Sequence, residues 1–98
     1  MIGEALRLLR IFNGYKSAEL AEMLEISQSY VSEIENNKKQ PSMEILDKYA
    51  SIFDMKKSTL LLFAESLEED KNDKKQRVAL AGMKLLKILE KVGKMEDE

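Results

Sequence analysis

The residues best suited to chemistry lie in one polar stretch, QSYVSEIENNKKQPS, which runs from Gln28 to Ser42. If the stretch is helical, at about 100° per residue, Val31 and Ile34 point to one side. The opposite side then carries hydrogen-bonding side chains: Gln28, Ser29, Ser32, Glu33 and Asn36. Gln and Asn can form two hydrogen bonds with the edge of adenine, Ser adapts to several bases, and Glu accepts a hydrogen bond from cytosine. The pattern therefore predicts a helix that reads base edges in DNA.

The alternative for this stretch is an ordinary solvated helix on the surface of a bundle. Such a helix would favour Glu, Lys, Arg and Ala, which have better helix propensity than Gln, Ser and Asn. Tyr30 lies at the edge of the polar side, where it could contact a thymine methyl group or pack against the domain. The residue types thus favour recognition over simple solvation.

Basic residues and a helix start lie close to this stretch. Lys38 and Lys39 follow the predicted helix, where ammonium groups would meet the phosphates beside a groove. Lys16 and Ser17 stand at the start of another predicted helix, whose free N–H groups and dipole favour an anionic phosphate. Taken singly, the lysines could be ordinary loop charges. Their position just after the polar helix is what indicates contact with the DNA backbone.

The 98 residues include no cysteine and no histidine. This excludes disulfides, thiolate metal sites, thiol nucleophiles and imidazole general bases. No nucleophile-and-base arrangement is recognisable among the serines, lysines and carboxylates. We therefore expect neither an enzyme nor a bound cofactor or metal.

The net charge is −2, and it divides into −1 for residues 1–62 and −1 for residues 63–98. Nucleic-acid binders usually present a positive surface, so the basic residues of a DNA-binding chain must here be concentrated on one side. The start, MIGEALRLLR, contains charges that a signal peptide would lack. The longest apolar run, LLLFA, is far shorter than the ~20 residues that span a bilayer. We expect a cytoplasmic protein with no membrane segment.

Apolar residues recur at spacings of three and four along almost the whole chain, which predicts an all-α fold. Five helices are predicted in the first part of the chain. The first covers 2–13, the second begins at Ser17 and the third covers 28–36. The fourth begins at Ser42, and the fifth runs from Ser58 or Thr59 to about residue 67. Ser17, Ser27 and Ser42 are the predicted N-caps. The predicted inward positions are Ile2, Ala5, Leu6, Leu9, Phe12, Leu20, Ala21, Leu24, Val31, Ile34, Met43, Leu46, Tyr49, Ala50, Phe53, Leu60, Leu61, Phe63 and Leu67.

A second segment follows the compact part, residues 1–67. Residues 68–77 are highly charged and predict a linker or a solvated helical extension. Residues 78–98 predict a C-terminal amphipathic helix, with apolar residues at the a and d spacing of a coiled coil: Val78, Ala81, Leu85, Ile88, Val92 and Met95. This seam is consistent with a homodimer, with packing back onto the fifth helix, or with binding of another protein.

Residues 1–62 carry a set of residues at fixed spacing: Leu9-Arg10, Gly14, Glu19-Leu20-Ala21, Leu24, Ile26-Ser27, Val31-Ser32, Ile34-Glu35-Asn36, Lys38, Pro41-Ser42, Leu46, Ala50 and Leu60. In this they resemble the helix-turn-helix domain of the Cro and lambda-repressor family, also called the Xre family. The resemblance implies a five-helix domain in which the second and third helices form the motif, and the third lies in the major groove.

The resemblance also implies roles for individual residues. It implies base reading for Gln28, Ser29, Ser32 and Glu33, with Tyr30 at the edge. It implies contacts with the DNA backbone for Lys16, Ser17, Asn36, Lys38 and Lys39. Arg10 and Glu35 match a buried pair that supports the fold. The implied protein is a sequence-specific transcriptional regulator, expected to be a repressor that binds a pseudo-palindromic operator in double-stranded DNA as a homodimer.

The sequence departs from the family pattern at three positions. Ser17 stands where Gln is common, and Glu25 and Asn37 stand where Gly is common. Asn tolerates a left-handed backbone, whereas Glu25 must adopt a strained turn or a different one. Ser17 shortens a side chain that could reach DNA, and Glu25 and Glu33 add negative charge near it. Modest affinity or a narrower choice of sites would follow.

Two alternatives to a free-standing regulator stay open. One is an antitoxin-type regulator, which represses its own operon and binds a toxin through the C-terminal helix. The other is a protein-interaction module that keeps the fold without binding DNA, which the balanced charge favours. A shallow salt dependence of any DNA binding would favour the module, because phosphate contacts make affinity fall with salt.

Overall fold

The computed structural model describes the backbone of residues 2–68 and 74–97 and the side chains of residues 2–68 and 78–93. Over these ranges the chain forms six helices and no strand, so the predicted all-α class is confirmed. The helices are α1 (Ile2–Phe12), α2 (Ser17–Leu24), α3 (Gln28–Glu35), α4 (Met43–Ile52), α5 (Lys57–Glu68) and α6 (Lys74–Asp97). Part of the predicted charged segment 68–77 and the side chain of Met95 lie outside the described residues.

Two of the three predicted N-caps are confirmed, and one is wrong. The Oγ of Ser27 accepts from the Tyr30 N–H at 3.1 Å, and the Oγ of Ser42 accepts from the Ile45 N–H at 3.2 Å. Ser17 is instead the first residue inside α2, and the Lys16 N–H donates to the Glu19 carboxylate at 2.9 Å. The Glu19 carboxylate, at the third position of α2, thus accepts from the backbone N–H of the cap residue itself, which is a different donor from the one that a serine cap would bond.

The core forms around α1, which packs against α3, α5 and α6. The largest fully buried side chains come from α1 to α5: Tyr49, Phe63, Leu6, Leu8, Leu9, Leu20, Leu24, Ile34, Leu60 and Val31. Leu8 was not among the predicted inward positions, because the prediction assumed one buried side for each helix, whereas α1 is covered on several sides. α1 is such a helix, and it links the other elements.

Three predicted inward residues are largely exposed. Met43 is 59% exposed at the first position of α4, where it lies at the end of the helix instead of over the core. Leu61 is 43% exposed beside a groove shared with Ile2 and Pro41. Phe12, 39% exposed, lies at the last position of α1 and next to Gly82 of α6. Helical spacing identifies a face, but it does not show how far along the helix the neighbouring elements reach.

α6 packs back onto α5 and α1 of its own chain. Ala81 is fully buried and Leu85 is 9% exposed, and the Lys84 ammonium donates to the Ser66 carbonyl at 2.8 Å. These contacts correspond to the second of the three alternatives for the C-terminal seam. Two residues of that seam therefore contact the protein's own core and are not open to another chain in this arrangement.

Among the described residues, no helix is long and apolar enough to cross a membrane. The same residues contain no cluster of carboxylates that could hold a metal ion.

Candidate nucleic-acid interface

The α2 and α3 helices are joined by a tight turn centred on Glu25. This residue has φ 61° and ψ 39°, so it adopts the left-handed conformation that usually favours glycine. The N–H of Glu25 donates to Glu22 O at 3.1 Å, and the N–H of Ile26 donates to Ala21 O at 3.0 Å. These bonds offset a backbone cost of about 1 kcal/mol for a residue with a side chain. Of the two alternatives for Glu25, the chain therefore adopts the strained left-handed turn and not a different one.

The polar face of α3, defined as Gln28, Ser29, Ser32, Glu33 and Asn36, points away from the core. Gln28, Ser29, Ser32 and Asn36 are exposed and Glu33 is half-buried. Val31 and Ile34, on the opposite side, are fully buried. The helix therefore presents amide and hydroxyl groups outward from a rigid apolar base.

Gln28 is held by a residue of the preceding helix. Its Nε2 donates to the Ser17 Oγ at 3.0 Å. The Gln28 amide keeps a carbonyl oxygen and a second N–H for other partners. Ser17, although shorter than the residue common in the family, thus positions the first residue of the polar face. The sequence did not indicate this pairing, because the two positions belong to different helices.

Other members of the polar face are also bonded within the chain. The Ser29 and Ser27 hydroxyls are 3.2 Å apart, and the Asn36 Nδ2 donates to the Ser32 carbonyl at 2.8 Å. The Asn36 Nδ2 also lies 3.4 Å from the Ser32 Oγ. Groups fixed in this way lose less side-chain entropy when they bind a partner.

The lysines after α3 occupy two different environments. Lys39 turns back over the helix, with its Nζ 3.6 Å from the Glu33 carboxylate and 5.7 Å from the centre of the Tyr30 ring. Lys38 is exposed, and its N–H donates to the Glu33 carbonyl at 2.8 Å. Lys39 therefore neutralises the negative charge of Glu33 on the polar face. To bind a phosphate, it would have to release this weak exposed pair, which costs little.

The loop that carries these lysines is tied to the start of α1, a contact that the sequence did not reveal. Asn37 has φ 60°, and its Oδ1 accepts from the Gly3 N–H at 3.0 Å. A Cβ on Gly3 would overlap the carbonyl oxygens of Ile34 and Glu35 and the Asn37 side chain. Only glycine lets the α1 backbone approach the end of α3 this closely. The available signal was a glycine in the first turn of a helix.

Arg10 and Glu35 form the anchor beneath α3. The Arg10 Nε and Nη2 donate to the two Glu35 carboxylate oxygens at 2.7 and 3.0 Å, and Nη1 donates to the Tyr15 carbonyl at 3.1 Å. The side chains are only 17% and 7% exposed. The hydrogen bond with Glu35 holds the pKa of Arg10 above its usual range. This two-pronged pair fixes the last turn of α3 to α1.

Tyr49 packs near this anchor with its hydroxyl unsatisfied. The side chain is fully buried, and the hydroxyl has no hydrogen-bond partner among the described residues. Burial, and then the charge of Glu35, raise the pKa of Tyr49 above its ordinary value. The tyrosine therefore stays neutral through the alkaline range in which an exposed tyrosine ionises.

The helix-turn-helix family model matches residues 6–60. The transcriptional regulator SinR of Bacillus licheniformis is 37% identical over 71 residues, which cover 71% of this chain and 64% of that protein. SinR of Bacillus subtilis strain 168 is 39% identical over 62 residues, covering 62% of this chain and 56% of that protein. A competence pilus inhibition repressor of Acinetobacter baylyi is 34% identical over 71 residues, covering 72% of this chain and 64% of that protein. The chain thus spans less than two thirds of these curated relatives.

Solved structures agree with the sequence matches. The crystal structure of SinR, the master regulator for biofilm formation, in complex with DNA superposes with a TM-score of 0.58 at 39% identity. It covers 62% of this chain and 98% of that one. The clp gene regulator ClgR of Corynebacterium glutamicum gives a TM-score of 0.64 at 28% identity and covers 91% of this chain and 86% of that one. The sequence matches and the arrangement of α1 to α5 show that the chain belongs to the Xre family of helix-turn-helix proteins.

Proposed function

We propose that this protein is a sequence-specific DNA-binding transcriptional regulator that represses by occupying a pseudo-palindromic operator as a homodimer. The observation that carries the proposal is the polar face of α3. It exposes an amide and two hydroxyls, Gln28, Ser29 and Ser32, on a helix whose other side is buried. Groups of this kind, held on a rigid element, suit the reading of base edges in the major groove.

The proposed docking places α3 in the groove and the flanking elements on the backbone. Gln28 would contact a base while its amide remains bonded to Ser17. The start of α2, with Lys16 beside it, would approach one phosphate, since a helix N-terminus favours an anion. Asn36, Lys38 and the released ammonium of Lys39 would contact phosphates at the other end of α3.

The relatives support this proposal for the domain they share with the chain. One of the matched SinR structures is a complex with DNA, and one matched relative is described as a repressor. Repression requires only that a promoter be occupied. A homodimer follows from the docking, because one small domain covers a single half-site and a palindrome presents two.

Fluorescence anisotropy tests the proposal. The full chain is titrated into the duplex upstream of its own gene and into a scrambled duplex of equal composition, at about 50 and 200 mM salt. We expect preference for the upstream duplex and an affinity that falls as salt rises. Failure to bind that duplex, followed by failure of a random-duplex selection, would overturn the proposal.

A second function, a protein-interaction module without DNA binding, is favoured by the charge. The chain carries −2 overall, and Glu25 and Glu33 lie on or beside the proposed interface. In that case α3 would present the same polar face to a protein. Any residual DNA binding would then show no sequence preference and little dependence on salt.

A further inference from the structure

Lys39 contacts Glu33 through both its backbone and its side chain. Its N–H donates to the Glu33 carbonyl at 3.2 Å, and its Nζ lies 3.6 Å from the Glu33 carboxylate. The backbone bond keeps the Lys39 side chain anchored beside the last turn of α3, whichever partner the ammonium takes. The ammonium itself is not locked in place, because the Lys39 and Glu33 side chains are 59% and 37% exposed. Lys39 can therefore exchange Glu33 for another anion by rotating its flexible stem.

The Glu33 carboxylate needs a partner once α3 lies in a groove. In the free chain solvent screens the exposed ion pair, which then contributes little to stability. Against DNA the carboxylate would lose water and lie near phosphates of the same charge, and a desolvated charge without a partner is costly. Two groups would satisfy it there: the Lys39 ammonium, or an amino group on the edge of a base.

The rest of the polar face of α3 offers Glu33 no equivalent partner. Its other four members carry neutral amides and hydroxyls. The Asn36 Nδ2, which could donate to a carboxylate, donates to the Ser32 carbonyl at 2.8 Å. Lys39 is thus the cation that this surface supplies to Glu33, and a base can take its place only by donating a hydrogen bond.

We infer that the base facing Glu33 decides whether Lys39 binds a phosphate, so that the two residues act together as one specificity determinant for cytosine. The inference rests on the proposed function, because it requires α3 to dock in the major groove. Cytosine presents its N4 amino group there, and a carboxylate can accept from it. Glu33 would then no longer need Lys39, whose ammonium would bind a phosphate.

Thymine is the base that reverses this exchange. It presents the O4 acceptor and a methyl group in the major groove, and neither donates a hydrogen bond to a carboxylate. Lys39 would therefore stay on Glu33, and its phosphate contact would be lost together with the base contact. A single wrong base would cost two interactions, which is how an interface discriminates by leaving a charge without a partner.

The salt dependence of binding tests the exchange, because the slope of log affinity against log salt reports how many phosphates are neutralised. The full chain is titrated by fluorescence anisotropy into its preferred duplex and into duplexes in which each C·G pair is changed in turn to T·A. At one such pair we expect wild type to lose about tenfold in affinity. The slope should fall there by about one for each half-site changed.

Three variants assign this difference to the two residues. Glu33→Gln should have equal slopes on both duplexes and a preference of less than about threefold, because an amide can accept from cytosine or donate to thymine. Lys39→Ala should have the lower slope on both duplexes. Lys38→Ala is the matched control, since it removes the same charge from the neighbouring position. It should lower the slope by about one on both duplexes and preserve the difference between them.

The outcomes separate this inference from the proposed function. If wild type prefers its duplex but has the same slope after every C·G change, the inference fails and the proposed function stands. A slope difference that survives in Glu33→Gln would assign the cytosine to another residue and would also overturn the inference. If no duplex is preferred over a scrambled one, the proposed function fails, and the inference fails with it.

Discussion

On the polar face of α3 several exposed side chains are hydrogen-bonded within the chain itself, whereas α6 exposes several large apolar side chains. Gln28 is held by Ser17, and Asn36 by Ser32. Leu86, by contrast, is 63% exposed. The first surface is prepared for a partner that demands exact hydrogen-bond geometry. The second offers area, which tolerates more variation in fit, because hydrophobic attraction is not directional.

The largest expected effect comes from removing the anchor that makes the polar face rigid. Arg10→Met would leave the mostly buried Glu35 carboxylate without its partner. We expect a loss of about 3 kcal/mol in the free energy of unfolding, measured by urea titration. Arg7→Met, at an exposed position, is the control and should cost less than about 0.5 kcal/mol.

The double variant Arg10→Met/Glu35→Leu sharpens this result, because it removes both charges. It should recover most of the lost stability. A double variant as unstable as Arg10→Met would show that packing of the arginine stem, and not its charge, holds α3.

The next effect separates the proposed base reading by the polar face of α3 from the proposed contact of Lys38 with the DNA backbone. Gln28→Ala should cost about 2 kcal/mol on the preferred duplex and much less on a scrambled one, because it would remove the proposed base contact. Lys38→Ala should weaken both duplexes alike and lower the salt slope by about one. Anisotropy titrations at several salt concentrations measure both. Equal losses on every duplex from both variants would contradict the assigned roles.

A smaller effect, of opposite sign, is expected at Tyr49 beneath the anchor. Tyr49→Phe removes a buried hydroxyl that has no partner, so the variant should be more stable by about 1 kcal/mol. The raised pKa of Tyr49 adds a dependence on pH. The folded chain keeps the proton of the Tyr49 hydroxyl at a pH at which the unfolded chain loses it. The resulting contribution to the free energy of unfolding is complete below the ordinary tyrosine pKa and declines as pH rises above it.

Denaturant titrations of both proteins from neutral to alkaline pH measure this contribution. The wild-type curve should fall more steeply above about pH 10 than that of Tyr49→Phe. Parallel curves would mean that Tyr49 ionises as easily in the folded chain as in the unfolded one.

The smallest effect concerns the contact between the α1 start and the loop after α3. Asn37→Gly removes the acceptor for the Gly3 N–H but relieves the left-handed backbone, so we expect a net loss of only about 0.5 kcal/mol. Asn37→Asp keeps an acceptor and should be less affected in thermal melts. A larger loss in Asn37→Asp than in Asn37→Gly would show that the hydrogen bond is unimportant.

The sequence predicted what depends on local spacing. Helix periodicity and the serine caps at Ser27 and Ser42 placed α3 and α4, because those signals act over a few residues. It failed where a residue's surroundings are set by distant elements. Ser17 was predicted to be the cap of α2, but the cap is Lys16 and Ser17 is the first residue inside the helix. Met43 was predicted to lie in the core, but the core does not reach it.

The candidate site shows the same division. The outward side of α3 could be predicted, because Val31 and Ile34 fix which side is buried. The return of Lys39 over Glu33 could not, since a long flexible side chain has several partners within reach. Nor could the contact of Asn37 with Gly3, which joins residues 34 positions apart.

α1 touches α3 and α6 at its opposite ends. Gly3 lies against the end of α3, and Phe12 lies beside Gly82 of α6. One helix of 11 residues therefore connects the end of α3 with α6. If binding at one end of α1 changes the binding free energy at the other end, the coupling between the two ends is reciprocal. Any factor by which a ligand at the α3 end tightened binding at the α6 end would equal the factor by which binding at the α6 end tightened the hold on that ligand.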